Sequence, residues 1–169
     1  MPKAGYVRPT REMVRKAVFD VLGDFVSGKD VLDLFSGSGA FGFQSLSNGA
    51  RSATFVESRR LCCEVVRENA AALGVLPQCR IFSRDVFSLL PQLRKESLVF
   101  PVIFADPPYG RELAKKCLLE ICKYDILLPP AIVIIEHHKA DEMPSQSLPL
   151  TLWQHKHYGD TFVSFYTSF

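Results

Sequence analysis

Two periods of apolar residues alternate along the chain. Residues 10–22 place Met13, Val14, Ala17, Val18, Val21 and Leu22 at helical spacing, with Thr10 able to cap the first turn and Glu12 inside it. Residues 30–35 (DVLDLF) then form a short, almost unbroken apolar run, the pattern of a buried parallel strand. A glycine-rich turn leads into a helix over 40–47, closed by Asn48-Gly49. The alternation continues with strands predicted at 52–57, 79–83, 99–105 and 131–136, and helices at 59–73, 86–95 and 111–123. In the helix over 59–73 the inward stripe is expected to be Leu61, Cys62, Val65, Val66, Asn69, Ala72 and Leu73, with Gly74 as the stop. Pro101 falls near the start of its strand, where a missing N–H is tolerated. Residues 139–147 are polar, contain Pro144 and are expected to be loop. Segments 150–157 and 161–166 alternate around Tyr158-Gly159-Asp160, which predicts a C-terminal hairpin.

This order implies an α/β fold: a Rossmann-like, mostly parallel sheet with an antiparallel C-terminal hairpin strand, helices on both faces, and a ligand at the C-terminal strand ends. A length of 169 residues suits one domain. An apolar share of 47% excludes a disordered chain. Twenty basic residues against 18 acidic give a net charge of +2, so overall charge does not announce a nucleic-acid binder. The five cysteines, at 62, 63, 79, 117 and 122, contain no C-x-x-C pair, which argues against a disulfide framework or zinc knuckle. Cys62 and Cys63 read as core or boundary residues, Trp153 as a packing residue, and His137, His138, His155 and His157 as surface residues without the partners of a metal site. With no apolar run near 18 residues and no signal-peptide pattern, the expectation is a monomeric cytoplasmic chain away from the membrane.

Gly37-Ser-Gly39-Ala-Phe-Gly42 matches G-x-G-x-x-G between a strand and a helix, and Glu57 follows Gly37 by twenty positions. Such a turn brings backbone and a helix N-terminus close to a negative group. That group is a pyrophosphate in a dehydrogenase, or a methionine carboxylate in a methyltransferase, with Glu57 on the ribose hydroxyls. Asp33 weighs on the choice. A carboxylate inside an apolar strand suits a ligand bearing an ammonium and a sulfonium, and would repel a pyrophosphate; backbone amides of the turn are its other possible partners.

Asp106-Pro107-Pro108-Tyr109 directly follows the fourth predicted strand, at the ligand edge. An exocyclic amine on a nucleobase is a poor nucleophile because its lone pair is delocalised into the ring. Acceptors on its N–H groups return density to nitrogen; Asp106 supplies one and the Pro107 carbonyl a second. The two prolines hold the corner extended. Tyr109 offers a flat face to an unstacked base.

At this point the chain resembles a known family, the RsmD-type bacterial 16S ribosomal RNA guanine-N2 methyltransferases, class I enzymes that use S-adenosylmethionine. The resemblance is carried by Arg8-Pro9-Thr10 with Val14-Arg15, residues 31–50 (VLDLFSGSGAFGFQSLSNGA), Phe55-Val56-Glu57, Glu68-Asn69, residues 104–109 (FADPPY) and residues 158–161 (YGDT). It implies that Asp33, Ser36, Gly37 and Gly39 hold the methionine part of the cofactor, Glu57 the ribose, Asp85 the adenine amine and Val86 the adenine ring. Asp106, Pro107, Pro108 and Tyr109 would hold the target guanine, and the substrate would be 16S ribosomal RNA or a partly assembled small subunit. Adenine-N6 DNA methyltransferases also use DPPY, but a chain of 169 residues is expected to hold no separate target-recognition domain. Family members generally carry a basic N-terminal β-hairpin before the RPT; here seven residues precede Arg8, and residues 1–9 read as a short basic arm. Arg8, Arg11 and Arg15 remain as candidate RNA contacts.

Overall fold

The computed structural model describes residues 11–169, so the predicted cap Thr10, Arg8 and the arm over 1–9 lie outside the described residues. The chain runs α1 (Arg11–Leu22), β1 (Asp30–Leu34), α2 (Ala40–Ser47), β2 (Ser52–Glu57), α3 (Arg60–Ala72), β3 (Cys79–Ser83), α4 (Val86–Lys95), β4 (Phe100–Ala105), α5 (Leu113–Lys123), β5 (Leu127–His138), β6 (Gln146–Ser147), β7 (Leu150–Tyr158) and β8 (Thr161–Ser168). The strands form one sheet in the order β3-β2-β1-β4-β5-β8-β7-β6. β1 to β5 are parallel, and β8 enters antiparallel beside β5. The predicted fold class is the observed one. Strand order reverses at β1, between β2 and β4, which is where such sheets open a crevice for ligand.

The period-two alternation of the strands divides the core. Leu32, Leu34, Val56, Ile103, Ala105, Val133 and Ile135 pack on α4 and α5. Val31, Ala53, Phe55, Val102, Phe104, Ile132, Ile134 and Phe165 face the other way, toward α1, α2 and α3. Two helix stripes differ from the expected ones. In α1 the buried set is Val14, Val18, Phe19 and Leu22, while Met13 is half exposed. In α3 it is Cys63, Val66 and Ala70, and Leu61, Val65, Asn69, Ala72 and Leu73 face solvent. Bulk misleads here: the face of α3 that meets the sheet is built from small residues, which let helix and strand approach closely.

Several ends also move. β1 stops at Leu34 because Phe35 turns left-handed (φ 55°). α5 begins at Leu113 rather than 111, since Arg111 and Glu112 are both left-handed. β5 starts at Leu127, four residues early. Its register with β4 jumps between Phe100 and Val102, across Pro101, and Pro129-Pro130 lies in the irregular stretch that hid the strand. The expected loop over 139–147 ends in the short edge strand β6. His137 is buried rather than at the surface, its ring bonded to Ser164 Oγ at 2.8 Å. Trp153 is half exposed, with one edge toward Phe165. No helix among the described residues is long and apolar enough to cross a membrane.

Gly42 fixes how α2 sits on the sheet. A Cβ built there would stand 2.3 Å from Phe55 Cε1. Gly42→Ala is therefore expected to cost about 1–3 kcal/mol by overpacking. The measurement is the urea midpoint at constant m, and an unmoved midpoint would contradict this packing.

Candidate methyl-transfer site

The turn after β1 is shaped by glycines at positive φ, Gly37 (55°) and Gly39 (85°). Gly39 N–H donates to the Ser36 carbonyl at 2.8 Å, closing the turn just before α2. Asp33, 2% exposed, accepts a hydrogen bond from Gly42 N–H in the first turn of α2 at 3.0 Å. One amide partner does not offset full burial. Desolvation pushes the Asp33 carboxyl well above its ordinary range, and the nearby charges of Asp106 and Glu57 push it further. Glu57 closes β2 and accepts Gly37 N–H at 2.8 Å, which ties the strand end to the turn. It also receives Arg59 N–H and Arg59 Nε, each at 3.0 Å. Burial acts against the charged form of Glu57, but these bonds outweigh it and hold the carboxyl below its usual value.

Asp85 is the N-cap of α4, with Oδ2 accepting from Ser88 N–H at 2.9 Å. Val86, the first residue of that helix, is buried in the core, and its N–H has no partner within the helix. Asp106 leaves β4 beside the glycine turn, because Leu34 pairs with Ala105. Burial pushes its carboxyl up to about 6, against the opposing charge of Arg11. Pro107 is buried and Pro108 exposed. Tyr109 keeps its ring half exposed; its hydroxyl pairs with Thr161 Oγ1 at 2.8 Å, and its ring meets His138 edge-on at 5.5 Å.

The structure thus gathers Asp33, Ser36, Gly37, Gly39, Glu57, Asp106 and Tyr109 along the C-terminal edge of the sheet. Arg15 lies elsewhere, in a groove between α1 and α2 lined also by Lys16, Gln44 and Asn48. Three contributors escaped the sequence reading. Arg59 lies across Glu57 and has no sequence signal. Thr161 was visible only as part of YGDT, without a role. Glu136 lies two residues before the end of β5, while Glu57 is the last residue of β2, and the repeated acid after an apolar run was a signal available in the sequence.

The residues fit S-adenosylmethionine. Ser36 Oγ is buried beside the turn with no hydrogen-bond partner among the described residues, and a ligand polar group would satisfy it. Asp33 is a buried carboxyl with one amide partner, and a cationic ligand group would favour its charged form. A fold with this strand order, cradle and acidic corner is that of an S-adenosylmethionine-dependent methyltransferase. The comparisons agree in class. A family model described as "Conserved hypothetical protein 95" matches residues 1–167, and the chain belongs to that family. The chain is 30% identical over 159 residues to "Putative rRNA methyltransferase YlbH" of Bacillus subtilis, covering 94% of this chain and 86% of that protein. It is 26% identical over 166 residues to "Ribosomal RNA small subunit methyltransferase D" of Escherichia coli K12, covering 98% and 82%. The solved structure of a "Putative methyltransferase yhhF" from Escherichia coli superposes with a TM-score of 0.86 at 26% identity, over 99% of this chain and 91% of that one.

Proposed function

We propose that the chain methylates the exocyclic N2 amine of a guanine in 16S ribosomal RNA, in an assembling small subunit in the cytoplasm. The observation that carries the reading is the register of β1 with β4, which sets the Asp106-Pro107-Pro108-Tyr109 corner beside the glycine cradle on one sheet edge. The relatives' names support ribosomal RNA as the substrate class. Bound in the cradle, S-adenosylmethionine supplies a methyl group activated by its sulfonium. Asp33 would hold the positive part of the cofactor, and Glu57 would accept from the ribose hydroxyls in place of its Arg59 side-chain bonds. Asp106 and the Pro107 carbonyl accept from the target NH2 and concentrate its lone pair. A guanine edge suits this corner, since N1–H and N2–H are adjacent donors. The Tyr109 ring stacks on the base, held in orientation by Thr161.

The test is transfer of labelled methyl to unmodified small subunits, naked 16S RNA and DNA, followed by nucleoside analysis. Label in N2-methylguanosine of small-subunit RNA is expected; label only in DNA adenine would overturn the reading. Thr161→Val removes the hydroxyl that steadies Tyr109. It is expected to raise KM for RNA by about 2- to 12-fold, the worth of one hydrogen bond, with cofactor affinity unchanged. Equal KM values would deny Thr161 this role.

A further inference from the structure

Four strands present a carboxylate near their C-terminal ends: Glu57 on β2, Asp33 on β1, Asp106 just past β4, and Glu136 on β5. By strand alternation all four point to the α1–α2 side of the sheet. Three have work in the reading above; Glu136 has none. Ala105 pairs with Ile135, so Asp106 and Glu136 follow one position later on neighbouring strands, about 4.8 Å apart at the backbone. Glu136 is half-buried and has no hydrogen-bond partner among the described residues. It lines a cavity of about 10 Å³, room for about one water, whose other walls include Val18, Phe41, Phe104, Ile134 and Val163. Those side chains are apolar and offer a proton no acceptor.

We propose that Glu136 joins Asp106 as a second carboxylate facing the methylated amine, and that the pair takes the proton the amine must lose. The inference rests on the methyl-transfer reading. As the N–C bond forms, the S–C bond breaks and its electron pair stays on sulfur. The nitrogen is left cationic. Its N–H bond then breaks, the electron pair returns to nitrogen, and the proton passes to the carboxylate pair and, after release of product, to solvent. The groups facing Glu136 are Asp106 from β4 and Arg11 from α1, while the β8 residue opposite it is the apolar Val163. Asp33 adds its field through Asp106. Burial and then the Asp106 charge push the Glu136 carboxyl up to about 7, with Arg11 opposing, against about 6 for Asp106. A pair with steps there holds and releases one proton near neutrality.

The test has two arms on the full chain. In single-turnover methyl transfer, Glu136→Gln is expected to slow the step about 10-fold, less than a general base usually contributes because the aminium is itself a strong acid. The acid limb of its pH profile should move from about 7 to about 6, leaving Asp106 alone. Glu136→Asp should restore part of the rate and of the limb. An unchanged profile in Glu136→Gln would overturn the proposal. The second arm needs no substrate: carboxyl ¹³C NMR should show two linked steps, the upper one lost in Glu136→Gln and lowered in Asp106→Asn. Glu136 titrating near the ordinary 4.5, or unmoved by Asp106→Asn, would overturn the pair whether or not any RNA is methylated. Intact coupling with no methylation of any RNA would instead sink the substrate reading.

Discussion

Replacing Asp106 by Ala is expected to lower methyl transfer by about 10³-fold while changing cofactor affinity by no more than about 2-fold. The argument is electrostatic and geometric. Asp106 leaves β4 where the strand hands over to two prolines, so its carboxylate is held without help from a flexible loop. Its task exists only while the target amine is reacting, so its loss falls on the rate and not on the cradle. Asn is expected to recover only part of the rate, because its carbonyl can accept one N–H but its neutral amide cannot offset the positive charge that develops on nitrogen. Misfolding would not explain the loss. The Asp106 carboxyl lies at about 6 in the folded chain, above its ordinary 3.8. An acid raised by folding costs stability once the pH exceeds the unfolded value, so removing it should leave the chain at least as stable at pH 7. Cofactor titration by calorimetry and thermal melting are the controls. A variant with ordinary turnover would remove Asp106 from the mechanism.

Much of this site could be read from residue order alone. DVLDLF followed by three glycines, and VIFAD followed by two prolines, each mark a strand that ends at a chemically committed turn, and both stand where they were expected. Local pattern sufficed because the information is local. What remained hidden depends on which element packs where. Periodicity chose the bulky Leu61 and Val65 of α3, yet the sheet buries the small Cys63 and Ala70. Two prolines concealed the start of β5, and the register of that strand with β4 is what brings Glu136 beside Asp106. Thr161 touches Tyr109 across 52 positions of sequence, a contact that no spacing rule contains. The Arg59 cover on Glu57 is local, only two positions along the chain, yet an arginine two residues after an acid forms no distinctive pattern.

Asp33→Asn is expected to make the chain more resistant to heat at pH 7 without cofactor, yet to weaken cofactor binding by about 10-fold or more, the scale of a hydrogen bond to a charged group. Both halves follow from one buried carboxyl. In the unfolded chain Asp33 titrates near 3.8; in the fold, burial holds it well above that value. Below 3.8 the acid is neutral in both states and costs nothing. As the pH climbs past 3.8 the unfolded chain releases a proton that the folded chain retains, so stability declines and the cost persists at neutrality. Asn is neutral throughout and its carbonyl can still accept from Gly42 N–H. The gap in melting temperature should therefore be wide at pH 7 and narrow toward pH 4. Cofactor reverses the order, because a ligand stabilises by its affinity for the folded state and the wild-type carboxylate has a cation to meet. Melting curves at both pH values, with and without saturating S-adenosylmethionine, read this crossing directly. If Asp33→Asn melts lower than wild type at pH 7, or binds cofactor equally well, then Asp33 serves only to cap α2 and the positive group of the ligand lies elsewhere.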